Sequence, residues 1–138
     1  MAHYAPDWAD QRLVVAILNN KDLNQVTWEQ RVMAGDAKLD ASQVLPDFPY
    51  ARYAELLGLK GIRVDNPDDV GAAWDEALSA GRPAVLEAIT DPEVPPLPPH
   101  IRFEQANKFA HALMARDPAA KEMVTQSLKG KLAEFVNR

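Results

Sequence analysis

The 138-residue sequence contains no cysteine, which excludes a disulfide scaffold, a zinc ribbon and a thiol nucleophile together. Basic side chains are outnumbered, 15 against 20 acidic, and the formal net charge of −5 argues against a nucleic-acid footprint. Long apolar runs are missing: the longest, Leu13 to Leu18, falls far short of the ~20 residues a membrane helix needs. Glycine is sparse at 6, and no two glycines stand in a G-x-G pattern, so glycine-rich phosphate loops are excluded as well. Met1 to Ala9 carries Pro6 and Asp7 where a secretory signal needs an apolar stretch, which leaves the cytoplasm as the default expectation. No Ser-His-Asp set with a nucleophile elbow is present. His3, His100 and His111 lack ligand-like spacing, and a surface or structural role is expected for each.

What is there suits a globular protein: 47% hydrophobic and 25% charged residues give a chain able to bury a core. Residues 1–100 hold 8 basic and 16 acidic side chains, whereas residues 101–138 hold 7 and 4. The change of sign coincides with a strap in which five of the eight residues from Pro92 to Pro99 are proline. Proline fixes φ and lacks a donor, so this stretch is expected to be an extended, semi-rigid connector.

Before the strap, short β-rich runs alternate with helical spacing. Arg12 to Leu18 is a continuous apolar run that suits a strand buried on both faces. Pro49 opens a helix in which Tyr50, Tyr53, Ala54 and Leu57 share a face, closed by Gly58. Lys60 to Val64 reads as a second strand. Asn66 then caps a helix with Pro67 in its first position; Val70, Trp74, Ala77 and Leu78 follow at helical spacing, and Gly81 ends it. Pro83 to Thr90 is a third strand. The expected fold class is α/β: a partial parallel sheet of three strands in β-α-β-α-β order with helices on its faces, then the strap and a helical C-terminal tail. In the tail, Phe103, Ala106, Phe109, Ala110 and Leu113 predict one amphipathic helix. Asp117-Pro118 starts another with Val124, Leu128, Leu132 and Phe135 along a stripe, and the lysines and arginines suit solvated faces. Three two-sided strands lack neighbours for both edges, so a piece of a larger sheet is expected, and with it self-association through an uncovered edge.

In open α/β sheets ligands sit beyond the carboxyl ends of the strands, which singles out the segment from Asn19 to Arg31. Its amides are the hard, neutral oxygens that magnesium accepts alongside phosphate. The same residues also suit an Asx-turn capping the next helix, and asparagine at a strand end tolerates unusual backbone angles.

Leu18-Asn19-Asn20-Lys21-Asp22-Leu23-Asn24-Gln25-Val26-Thr27-Trp28-Glu29-Gln30-Arg31 resembles the second half of the thiamine-diphosphate motif of acetolactate synthase, pyruvate oxidase, pyruvate decarboxylase and their relatives. Asp47 to Val64 is similar to that family's run before its next strand, and Gly81 to Ala88 to its last strand. The resemblance implies that residues 1–91 are the C-terminal part of a thiamine-diphosphate-binding domain, with 92–100 as connector and 101–138 as tail. It implies Asn20 as a side-chain ligand and Asp22 as a backbone-carbonyl ligand of a magnesium or calcium ion bridging to the cofactor's diphosphate; the Asp22 carboxylate is a candidate for added charge. Leu23, Gln25 and Val26 become cofactor-binding residues, Val26 propping the bent cofactor. Glu29 falls where pyruvate oxidases approach the reacting centre, a candidate for proton transfer, although a helix-surface glutamate is the plainer reading. Trp28 is a candidate for the pocket or the core.

One departure limits the resemblance. No Gly-Asp-Gly, the other half of the motif, occurs, since Gly35-Asp36 stands downstream and lacks the second glycine. The pyrimidine-binding domain is absent too. The expectation is therefore a C-terminal fragment of a longer enzyme that acts on a 2-oxo acid such as pyruvate, inactive alone. Its partners are that substrate, the remaining domains of the parent and further copies in a homo-oligomer. Flavin (FAD) use belongs to domains not contained here. The alternative is a non-catalytic α/β module associating through a sheet edge and a basic tail.

Overall fold

Three runs rich in Val, Ile and Leu pair side by side in the computed structural model, which describes residues 1–94, 103–115, 117, 119–120 and 122–126. They are β1 (Val14–Asn19), β2 (Lys60–Val64) and β3 (Ala84–Ile89). The sheet is parallel in the order β1-β3-β2, with Val14 and Lys60 both level with Ala84. The helices are α1 (Asn24–Glu29), α2 (Asp40–Gln43), α3 (Tyr50–Leu56), α4 (Val70–Ser79) and α5 (Phe103–Met114). The chain forms two compact units, Met1–Asn20 with Asp47–Thr90, and Lys21–Pro46 with Asp91–Arg138. The expected α/β class and its parallel β-α-β-α-β core hold.

In the first unit, α4 sets Ala73 and Ala77 against Ile62, Val64, Ala84 and Leu86 on one face of the sheet. On the other face Ala54 of α3 packs with Leu59 and Val85. The predicted apolar stripe of α4 is turned by about one residue. Small residues make the contact line of α4, while Val70, Trp74 and Leu78 flank it and stay partly exposed. Tyr50, Tyr53, Ala54 and Leu57 do share a side of α3, and line an apolar groove. That helix comes very close to β2: a Cβ at Gly61 would stand 2.1 Å from the Ala51 carbonyl oxygen. Glycine is therefore required there by space. Gly58, at φ 76°, ends the helix as predicted. Asn66 accepts from the Asp68 amide as the expected cap, but Pro67–Asp69 forms a 3-10 turn before α4 proper begins.

One expectation is overturned here. The first strand is not buried on both faces: β1 is an edge strand, Leu18 is 72% exposed and Val15 is also exposed. The apolar run gave a strand, but α4 rests on β2 and β3, so the β1 side chains facing the same way have little above them.

In the second unit, α1 continues into a π-helical turn, Gln30–Ala34, closed by Gly35 at φ 79°. Residues 21–23 and 43–45 meet in a short antiparallel bridge: Leu23 N–H donates to Gln43 and Leu45 N–H to Lys21. α5 packs against the π-helical turn. Its stripe also differs from the predicted one. Phe103 is 88% exposed and Ala112 is buried, while Phe109 stacks on Trp28 at 5.5 Å. The start of the strap is a turn rather than extended chain, because the Asp91 carboxylate accepts from the Glu93 amide. Pro95 to His100 lies outside the described residues, as do Leu128, Leu132 and Phe135 of the last predicted helix; Met123 is buried where Val124 was expected to be.

Candidate functional site

At the carboxyl end of β1 the two asparagines separate. Asn19 is still strand, paired level with Ile89, and its carbonyl accepts from the Thr90 amide at 3.1 Å. Its side chain turns inward, donating to the Glu87 Oε1 at 2.6 Å and to the Phe48 carbonyl at 3.4 Å. Glu87 Oε2 accepts from the Ala51 amide at 2.9 Å, one of the N–H groups that a helix leaves unpaired in its first turn. Asn20, one residue past the strand, is half-buried and closes the first unit. The left-handed backbone conformation falls on Lys21, at φ 57°, directly after the asparagine pair.

In the second unit Asp22 is buried. Its carboxylate pairs with the Lys38 ammonium and accepts from Thr27 Oγ1 at 2.9 Å. Within its own unit the carboxylate is thus engaged by Lys38 and Thr27. Thr27 also reaches Gln43 at 3.2 Å, tying α1 to α2.

Helix α1 has two faces. Thr27 and Trp28 point into the unit, which settles Trp28 as core. Leu23, just before the helix, and Gln25, Val26 and Glu29 on it are exposed. Gln25 donates to Glu29 one turn on, at 3.3 Å. The predicted cofactor and catalytic residues thus share one accessible side, with two apolar side chains and two polar ones.

The same unit holds a buried ionic cluster. Arg31 is 0% exposed and makes a two-pronged pair with Asp117, both bonds 2.9 Å. Its guanidinium lies 5.0 Å from the Trp28 ring centre and 3.8 Å from Glu93. Asp117 also accepts from the Lys38 and Ala119 amides, each at 3.0 Å. Burial alone raises the Asp117 carboxyl, but the hydrogen bonds from Arg31, Lys38 and Ala119 outweigh it and hold its pKa below the ordinary value. Glu93 goes the other way. Burial lifts its pKa more than Arg31 and Lys38 pull it down. His111, read as structural, has its Nδ1 at 3.1 Å from the Gly35 carbonyl.

The donors fit a divalent cation in part. An amide oxygen on a half-buried side chain is a suitable hard ligand. Among the described residues, however, no three His, Asp or Glu side chains converge on a common point. Residues 9–88 match the sequence model of a family described as thiamine pyrophosphate enzyme, C-terminal TPP binding domain. The putative thiamine pyrophosphate-containing protein YdaP of Bacillus subtilis (strain 168) is 32% identical over 120 residues, 87% of this chain and 20% of that protein. The mitochondrial acetolactate synthase catalytic subunits of Aspergillus candidus and Saccharomyces cerevisiae are 34% and 36% identical over 84 residues, 61% of this chain and 12% of each subunit. The chain thus spans about a fifth or less of the length of these relatives.

Proposed function

Because the chain belongs to the family of C-terminal cofactor-binding domains of thiamine pyrophosphate enzymes, we propose that it works as part of a longer enzyme that uses magnesium and acts on pyruvate or a related 2-oxo acid. When bound, thiamine diphosphate supplies the electron sink for breaking the bond beside a 2-oxo group. Everything else asked of this chain is binding, orientation and the handling of a proton. Asn20 offers its side-chain oxygen to the cation and Asp22 its backbone carbonyl. Leu23, Gln25 and Val26 contact the cofactor, Val26 as an apolar prop. Glu29 holds or moves a proton at the substrate. The reaction is decarboxylation followed by acyl or electron transfer, and flavin use is decided by parts outside this chain.

The observation that carries this reading is the place of Asn20: it directly follows the end of β1 and is half-buried, where an open α/β sheet binds its ligands. The accessible side of α1 supports it, pairing exposed Leu23 and Val26 with Gln25 and Glu29. Residues 1–91 are then the domain part, 92–100 a connector and 101–138 a tail. Completion comes from the remaining domains of the parent and from further copies in a homo-oligomer.

Half a cation site binds weakly, because magnesium sheds water reluctantly for so few protein ligands. Calorimetric titration of the isolated chain with magnesium and thiamine diphosphate is expected to show no binding tighter than about millimolar. Micromolar binding would overturn the half-site reading. A second reading, a non-catalytic module, draws on the exposed β1 edge with Leu18 and Val15 uncovered.

A further inference from the structure

We propose that Glu87 is a positioning residue for the strand-end site: its buried carboxylate holds Asn19 and thereby fixes the conformation in which Asn20 leaves the sheet. This rests on the reading of Asn20 as a cation ligand for its purpose, though not for its geometry. Glu87 interrupts an otherwise apolar central strand and is 1% exposed. A buried charge is kept only where its oxygens are satisfied. Both are: Oε1 by the Asn19 side chain at 2.6 Å and Oε2 by the Ala51 amide at 2.9 Å. One carboxylate thus joins the last residue of β1 to the first turn of α3.

Asn19 is held on three sides, by Glu87, by the Phe48 carbonyl at 3.4 Å and, through its own carbonyl, by the Thr90 amide at 3.1 Å. Two residues later Lys21 adopts φ 57°, a conformation unfavourable for a residue with a Cβ and kept only where the surroundings impose it. The Asn19 anchor fixes where that turn begins. Asn20 lies between the anchor and the turn, so its backbone is set from both sides. The carboxylate has no donor of its own, and only a carboxylate accepts from both Asn19 and Ala51. A glutamine at 87 has one oxygen for the two donors. Turning the Asn19 amide over to suit it would set that oxygen against the Phe48 carbonyl.

The test is nuclear magnetic resonance on the 138-residue chain, wild type against Glu87→Gln and Asn19→Ala. The readouts are hydrogen exchange at the Asn19 side chain and the Ala51 amide, the Lys21 backbone shifts, and broadening of Asn20 signals by manganese(II) with thiamine diphosphate. In Glu87→Gln, protection is expected to fall at least tenfold at Asn19 or Ala51. Lys21 shifts move away from left-handed values, and Asn20 broadening drops at least threefold at the same manganese concentration, while Leu86 and Ile62 amides stay protected. Asn19→Ala reproduces the Lys21 and Asn20 changes with Ala51 still protected, and decides the matter if Glu87→Gln does not fold. Wild-type Lys21 shifts and Asn20 broadening in a folded variant would reduce Glu87 to a satisfied core group and overturn the proposal. Absence of Asn20 broadening in the wild type, with the exchange and Lys21 changes as stated, would instead overturn the cation reading and leave the positioning role standing.

Discussion

Arg31 keeps its charge without access to water because Asp117 matches it prong for prong. Removing one partner of such a pair leaves the other buried and uncompensated, which costs about 3–5 kcal/mol. Asp117→Asn is therefore expected to lower unfolding free energy by that amount at neutral pH, read from urea denaturation. The pH dependence follows from the direction of the shift. A carboxyl held below its ordinary value contributes stability that is whole above about pH 4 and is lost as the pH falls through the depressed folded value. The gap between wild type and Asp117→Asn should accordingly narrow as denaturation is repeated at successively lower pH below about 4; a gap that widens there would contradict the assignment. Glu93, lifted by burial, has the opposite sign. It favours the folded state when protonated and loses that contribution as the pH rises through its elevated value. None of these partnerships was legible in the sequence. Arg31 and Asp117 are 86 residues apart, and Asn19 and Glu87 are 68 apart, so no local spacing links them. The one available signal was a lone charge inside the apolar run from Ala84 to Ile89.

At the scale of elements the sequence was more readable, because strands and caps are set locally. The Lys60 strand was placed to the residue, and Asn66, Gly58 and Gly81 marked the helix ends where the backbone needed a side-chain acceptor or a positive φ. The face of α4 was turned by about a residue, since apolar periodicity favours the largest side chains while close packing on a sheet favours the smallest. Ala73 and Ala77 beat Val70 and Trp74 to the contact line for that reason. The β1 edge was misjudged because a run of apolar residues does not say which strand lies in the middle. Gly61 shows what spacing cannot: its missing Cβ admits the Ala51 carbonyl. Overpacking costs typically 1–3 kcal/mol, and backbone is the obstacle here. Gly61→Ala should therefore destabilise by about 3 kcal/mol, measured by urea denaturation. A loss under about 0.5 kcal/mol would mean that α3 moves freely off β2.

At the scale of the whole molecule, the family match ends at residue 88 and the matched segments make up 20% or less of each curated relative. Among the described residues no helix is long and apolar enough to cross a membrane. Of the residues that the motif singles out, Leu23, Gln25, Val26 and Glu29 are exposed and Asn20 is half-buried. The ion pair of the Asp22 carboxylate with Lys38 was not legible, because it depends on a fold that brings residues 22 and 38 together. The central claim is that the second asparagine supplies half of a divalent-ion site whose complement lies elsewhere in a longer protein. The most direct measurement is the magnesium-dependent affinity for thiamine diphosphate of this segment expressed with its upstream portion, with and without Asn20→Ala. At least a tenfold weakening on losing the amide is expected, and equal affinity in the two proteins would contradict the account.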